Sequence, residues 1–167
     1  SFTGSGIIID PRGIIITNAH VAERMLLKDY GTPDALKCVI RNGSPARNAF
    51  YADLMYLPPS WIHKNVSLIT DPAPTGTGED DYAFLHIVRS ATESPLPVSF
   101  PYISVDTSQT SLSVNDPVLV AAYPAGFLSD RSVHNALYPI TTITTIKTLY
   151  TFVKETLDLI SLGGNPV

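Results

Sequence analysis

The sequence predicts an all-β protein, and three features carry that expectation. Fourteen prolines are spread along 167 residues, which disfavours long helices, because an interior proline removes a helical hydrogen bond and clashes with the preceding turn. Short apolar runs rich in Ile, Val, Thr and aromatic residues recur, bounded by Pro, Gly, Asn or Asp. Hydrophobic residues make up 44% and charged residues 16% of the chain, a balance that suits a packed core and argues against disorder. Many short strands separated by turn residues make a barrel or a sandwich.

The chain opens with a β-hairpin. Ile7 to Ile9 form its first strand, Asp10-Pro11-Arg12-Gly13 its turn, and Ile14 to Thr17 its second strand. Proline suits the second position of such a turn and glycine its end. Both isoleucine runs are apolar on both strand faces, so both are expected to be buried between layers. A short helix is expected over Val21 to Lys28. Strands follow at Cys38 to Arg41 and Arg47 to Leu57, joined by Asn42-Gly43-Ser44-Pro45-Ala46. Pro58-Pro59-Ser60-Trp61 breaks the second of these, and Ser60 is placed to cap a helical turn. Thr70 to Gly78 reads as an exposed loop, Tyr82 to Val88 as a strand, and Ser90 to Pro101 as a connector between two halves. Val118 to Ala122 is a strand ended by Pro124-Ala125-Gly126. Ala136 to Phe152 supplies one or two strands, and Leu157 to Ser161 leads into Gly163-Gly164.

Several function classes lose support at once. Net charge is −4 and no Lys/Arg cluster occurs, so a nucleic-acid partner is not expected; the tyrosines lack the basic companions of a base-stacking platform. No apolar run is long enough for a membrane span. Ser1-Phe2-Thr3-Gly4 lacks the charged and apolar regions of a secretion leader. Cys38 is the only cysteine; it rules out an internal disulfide and reads as a buried structural thiol. No Cys/His spacing suggests a metal, so no metal or cofactor is expected. Gly4-Ser5-Gly6 is not a dinucleotide loop, since no third glycine follows and a strand comes next.

Nucleophilic acyl transfer fits better. A serine hydroxyl needs a base within hydrogen-bond reach, and the base needs an orienting carboxylate. In one known arrangement of such a triad the chain order is His, Asp, Ser. Here His20 closes the second isoleucine run, and an acidic cluster, Glu79-Asp80-Asp81, precedes the strand from Tyr82. His63 reads as a surface or packed residue, His86 as a partly exposed one and His134 as solvated; His86 faces opposite to Ala83, Leu85 and Ile87 along its strand.

Gly4-Ser5-Gly6, the Asp10 to Gly13 turn and Ile16-Thr17-Asn18-Ala19-His20-Val21 resemble the start of trypsin-like serine peptidases, with Thr-Asn-Ala-His closest to the bacterial HtrA/Deg-like branch. Asp81-Tyr82-Ala83-Phe84-Leu85 matches the family's aspartate strand, and Asp116 to Gly126 is similar to the start of its second barrel. The resemblance implies two antiparallel six-stranded β-barrels, the first over residues 1–90, with 91–167 forming a linker and a partial, incomplete second barrel. It implies His20 as general base and Asp81, rather than Asp80 or Glu79, as the orienting carboxylate. It implies hydrolysis of protein or peptide substrates through an acyl-enzyme, and an extracytoplasmic (periplasmic or secreted) setting. It does not imply an oligomeric state.

One departure stands out. The family's Gly-x-Ser-Gly-Gly segment does not occur in the sequence. Ser161 is followed by Leu162 before Gly163-Gly164, and Leu159 stands where a glycine should donate to the oxyanion, so Ser161 is not expected to be the nucleophile. The chain is expected to stop before its serine and to be inactive as it stands. A rival expectation is an inactive trypsin-like domain used for binding or scaffolding. A third is a thiol enzyme using Cys38, disfavoured by its place among the first strands.

Overall fold

A computed structural model describes residues 3–65, 67, 78–108, 111–124, 136–152 and 157–163. The described residues are mostly β, with two short α-helices and one 3-10 turn. The strands are β1 (Ile7–Asp10), β2 (Ile14–Thr17), β3 (Cys38–Asn42), β4 (Arg47–Tyr56), β5 (Ala83–Ser90), β6 (Pro117–Ala122), β7 (Ile140–Tyr150) and β8 (Leu159–Leu162). The helices are α1 (Ala19–Ala22), continued by a 3-10 turn over Glu23–Leu27, and α2 (Pro59–Asn65). One antiparallel sheet of five strands, ordered β1-β2-β5-β4-β3, forms a half-barrel; the other has three strands, ordered β6-β7-β8, and is open. The expected all-β class is therefore observed, as a five-stranded half-barrel and a three-stranded sheet.

The hairpin turn forms as its residues require. Gly13 N–H donates to the Asp10 carbonyl at 3.0 Å, and Gly13 adopts φ +86°, the left-handed conformation that a three-residue hairpin loop needs at its last position. The Asp10 carboxylate accepts from the Arg12 backbone N–H and from its guanidinium, all at 2.8 Å. These bonds to Arg12 hold the Asp10 carboxyl down at about 2. A lowered carboxylate pKa stabilises the fold above the ordinary carboxylate range and ceases to do so as pH falls through about 2. Gly13 also marks a close approach: a Cβ there would lie 2.8 Å from the Phe100 ring.

The isoleucine runs differ from expectation. Ile15 is buried at 3% exposure, whereas Ile7 stands 46% exposed, and Ile14 and Ile16 are only half-buried. A single layer explains this: β1 is an edge strand, and one face of the half-barrel holds the core while the other is only partly covered. Ile15, Ala52, Leu57, Trp61, Ala83, Leu85, Ile87 and Phe100 make up most of that core. Strand β5 alternates cleanly, with Ala83, Leu85 and Ile87 buried and His86 and Val88 exposed, as period-two geometry dictates.

The helical segment after β2 also differs. Expected over Val21 to Lys28, it starts at Ala19 and tightens into a 3-10 turn at Glu23. Glu23 is buried there at 3% exposure and accepts a hydrogen bond from the Trp61 indole N–H at 3.3 Å, which ties the turn to α2. Helix α2 starts at Pro59, where a proline lacks nothing because the first helical N–H has no partner anyway; the Pro58 carbonyl accepts from Ile62 N–H at 3.1 Å.

Residues 91–116 carry no strand among those described, and the connector is fixed through Phe100. Its N–H donates to the Pro11 carbonyl at 2.9 Å, and its ring meets Phe50 edge-on at 5.3 Å between centroids. The second sheet touches the first half through Tyr123, whose N–H donates to Ser5 Oγ at 3.0 Å and whose hydroxyl donates to the Gly43 carbonyl at 3.1 Å. Ala46 N–H donates to the Leu137 carbonyl at 2.7 Å. In the open sheet, Leu119 and Ile143 face each other across β6 and β7 and stay 68% and 75% exposed. Most of the Thr70 to Gly78 loop, the Leu128 to Asn135 loop with His134, and Gly164 to Val167 lie outside the described residues.

Candidate active site

Sheet register brings together residues 61 positions apart. Strands β2 and β5 pair antiparallel with Thr17 opposite Ala83. The chain leaving β2 through Asn18 and the chain entering β5 through Asp81 therefore meet at the same end of the sheet. Ala19 on α1 and Ala83 on β5 are both 0% exposed, and methyl side chains let the helix settle against the strand. Gly4 makes room on the other side of α1, since a Cβ there would lie 2.6 Å from Val21.

At that end, His20 Nδ1 lies 2.8 Å from Asp81 Oδ2. The His20 backbone N–H donates to the other carboxylate oxygen, Oδ1, at 3.0 Å. Asp81 is the more enclosed partner, with its side chain 15% exposed against 44% for His20. A carboxylate accepts and cannot donate, so the proton in this contact sits on Nδ1, and the neutral ring carries its lone pair on Nε2. Among the described residues Nε2 has no hydrogen-bond partner, and it belongs to the more exposed side chain of the pair.

The turn that delivers Asp81 is tightly specified. Gly78 and Asp80 have φ of +84° and +58°, and aspartate is among the few residues that tolerate this region. Asp81 N–H donates to the Gly78 carbonyl at 3.4 Å, and Tyr82 N–H to the Asp80 carbonyl at 2.8 Å, a three-residue turn centred on Asp81. Glu79 is half-buried and bridges Lys64 of α2 at 2.8 Å, so it braces this turn instead of simply facing solvent. Asp80 is half-buried as well. Tyr82 and Tyr56 stack at 6.2 Å, and Phe84 meets them at 5.9 and 6.0 Å, lining the strand beside Asp81 with aromatic rings. Burial and the Tyr56 contact push the Tyr82 hydroxyl up from its usual value.

The remaining candidates lie elsewhere. His63 is exposed on α2, and His86 is exposed on β5 opposite Ile14 and Asp53. Cys38 pairs with Ala52 across β3 and β4 and packs against the core. Burial, and then the Asp53 charge, raise its thiol pKa, which disfavours the thiolate that a nucleophile needs. Ser161 sits within β8, opposite Thr148 of β7, in extended pairing and not on a turn. Among the described residues no group of three His, Cys, Asp or Glu side chains is arranged to hold a metal ion, and no helix is long and apolar enough to cross a membrane.

Sequence reasoning missed two features of the site. Asn18 stands inside the motif that points to His20, and the motif does not reveal what its side chain does; its amide Nδ2 lies 3.2 Å from Asp81 Oδ2 and 3.3 Å from the Asp81 carbonyl oxygen. Its position two residues before the histidine was the available signal. The Glu23–Trp61 pair has none, because a glutamate followed by an arginine in a short helical segment reads as solvent-facing.

Comparison with known protein families matches residues 4–151 to the model described as a trypsin-like peptidase domain. No curated protein and no solved structure matched the chain.

Proposed function

The chain belongs to the trypsin-like peptidase domain family, and from that premise we propose that it forms the His–Asp half of a serine peptidase of the HtrA/Deg-like branch, acting on extracytoplasmic proteins or peptides. The observation that carries the reading is the 2.8 Å contact between His20 Nδ1 and Asp81 Oδ2, which leaves the lone pair on Nε2 of the more exposed partner.

In this mechanism Nε2 of His20 takes the proton of a serine hydroxyl as its Oγ attacks the substrate carbonyl. Asp81 holds the ring in the tautomer that has this lone pair and stabilises the imidazolium that forms. The imidazolium then gives the proton to the departing amine, leaving an acyl-serine, and the same nitrogen activates the water that releases the acid. The serine is not Ser161, whose extended pairing in β8 lacks the tight turn that presents a nucleophile. It belongs to a Gly-x-Ser-Gly-Gly segment that the 167 residues do not contain, so these residues alone do not turn over peptides. Residues 1–90 form the unit that carries the pair, and 91–167 the linker and part of the second unit.

The missing segment also favours a second reading, an inactive family member that binds or scaffolds proteins. Incubating the natural protein with unfolded casein separates the two. The peptidase reading expects new peptide termini with the wild type and none with His20→Ala. Casein captured by both and cut by neither would overturn it in favour of the scaffold.

A further inference from the structure

We propose that Asn18 is a positioning residue that clamps Asp81 and thereby sets the tautomer of His20; this rests on the His20–Asp81 reading above. Asn18 begins α1: its carbonyl accepts from Val21 and Ala22 N–H, both at 3.2 Å, and its φ and ψ of −76° and 147° are those of an N-cap residue. Asparagine at such a position ordinarily turns its side-chain oxygen back onto the first free N–H groups of the helix. Here it makes no such bond. The His20 N–H, one of those free groups, goes instead to Asp81 Oδ1 at 3.0 Å. Asp81 thus caps the helix from the turn before β5, and the asparagine amide is released to hold Asp81.

The way it holds Asp81 is specific. One nitrogen, Nδ2, reaches both Oδ2 and the backbone carbonyl oxygen of the same residue, at 3.2 and 3.3 Å. A donor bridging a residue's own side chain and main chain restrains both torsions between them. The amide has a single workable orientation, because turning it over would set its carbonyl oxygen against two acceptors. Oδ2 then keeps its place in front of the ring Nδ1–H, while Oδ1 stays on the backbone N–H. Without Asn18, rotation about the Cβ–Cγ bond of Asp81 would exchange or splay these contacts, and the ring would drift toward the Nε2–H tautomer, which has no lone pair to take a serine proton.

The test reads the ring nitrogens directly. Histidine 15N shifts are recorded at a pH where the ring is neutral, with the His20 signals assigned by their loss in His20→Ala. Wild type, Asn18→Ala, Asn18→Asp and Asp81→Asn are compared. Asn18→Asp keeps the shape and suits a helix start, so it folds if the alanine variant does not, while it replaces the donor by an acceptor facing a carboxylate. The expected result is a dominant Nδ1–H tautomer in the wild type. Its ratio to Nε2–H should fall about threefold to tenfold in Asn18→Ala, the scale of one ordinary hydrogen bond, and further in Asn18→Asp. A shift in Asp81→Asn with none in either Asn18 variant would overturn the clamp and leave the His20–Asp81 pair intact. No shift in Asp81→Asn either would overturn the pair itself.

Discussion

Replacing Asp81 by asparagine is expected to lower the peptidase rate of the natural protein by roughly 10⁴-fold while leaving substrate affinity nearly unchanged. The substitution preserves size but converts one of the two acceptor oxygens into a donor. In the native arrangement three N–H groups, from the His20 ring, the His20 backbone and the Asn18 amide, converge on the carboxylate. An amide has one acceptor oxygen for these three donors. If that oxygen stays on the His20 backbone N–H, the amide nitrogen faces the ring and donates to Nδ1, so the proton moves to Nε2 and the base is lost. The measurement is kcat and KM on a peptide substrate; a fall confined to KM would mean that Asp81 serves binding and not proton transfer. His20 would still be present, so the size of the loss reports what the carboxylate supplies to it, the tautomer and the stabilisation of the imidazolium.

The second large effect concerns stability. Gly13→Ala should lower the melting temperature by about 5–15 °C. Two costs act together. The residue has φ +86°, which costs an L-amino acid ~1–2 kcal/mol. The new Cβ would also lie 2.8 Å from Phe100 Cε2 and 3.2 Å from Ile87 Cβ, and such overpacking costs ~1–3 kcal/mol. For a domain of this size 1 kcal/mol corresponds to roughly 2–4 °C. Gly31 is the internal control, since its φ is +82° but nothing lies within 4 Å of a Cβ placed there. Gly31→Ala should therefore show only the first cost, a shift of a few degrees. Equal shifts for the two variants in a calorimetric scan would mean that the contact of the hairpin turn with Phe100 and Ile87 does not matter.

The sequence signals and the folded arrangement separate along a physical line. Local features were legible. The Asp10 to Gly13 turn is written in residues with narrow torsional preferences, and the alternation of β5 is written in its apolar period. The meeting of His20 and Asp81 is a different matter. It depends on which strand β2 pairs with and in what register, and a run of isoleucines carries no such information; only the family resemblance supplied the pairing. The isoleucine runs misled for a related reason. Apolar side chains on both faces indicate burial on both faces only if two layers exist, and here β1 is an edge strand. Phe100 lies in the segment that reads as a connector, yet its ring packs in the core beside a backbone hydrogen bond to Pro11 that no local pattern encodes. Asn18 was hidden for the opposite reason: its local role as a helix cap is so common that the exchange of caps with Asp81 becomes visible only in three dimensions.

The exchange also explains the economy of this corner of the fold. One carboxylate serves as helix cap, ring acceptor and anchor for an amide, all at the end of two paired strands. Damage to any one of these bonds is therefore felt by the others, so single substitutions at Asn18, His20 and Asp81 should not be additive.

The most direct measurement is labelling of the natural protein by a fluorophosphonate, followed by peptide mapping. Such a probe reacts with a serine only when a base has activated it. The expected result is one labelled serine in a Gly-x-Ser-Gly-Gly segment, none of the serines within residues 1–167, and loss of labelling in His20→Ala. Labelling of Ser161, labelling that persists undiminished in His20→Ala, or no labelling at all would contradict the assignment of His20 and Asp81 as the proton-transfer pair of a serine peptidase.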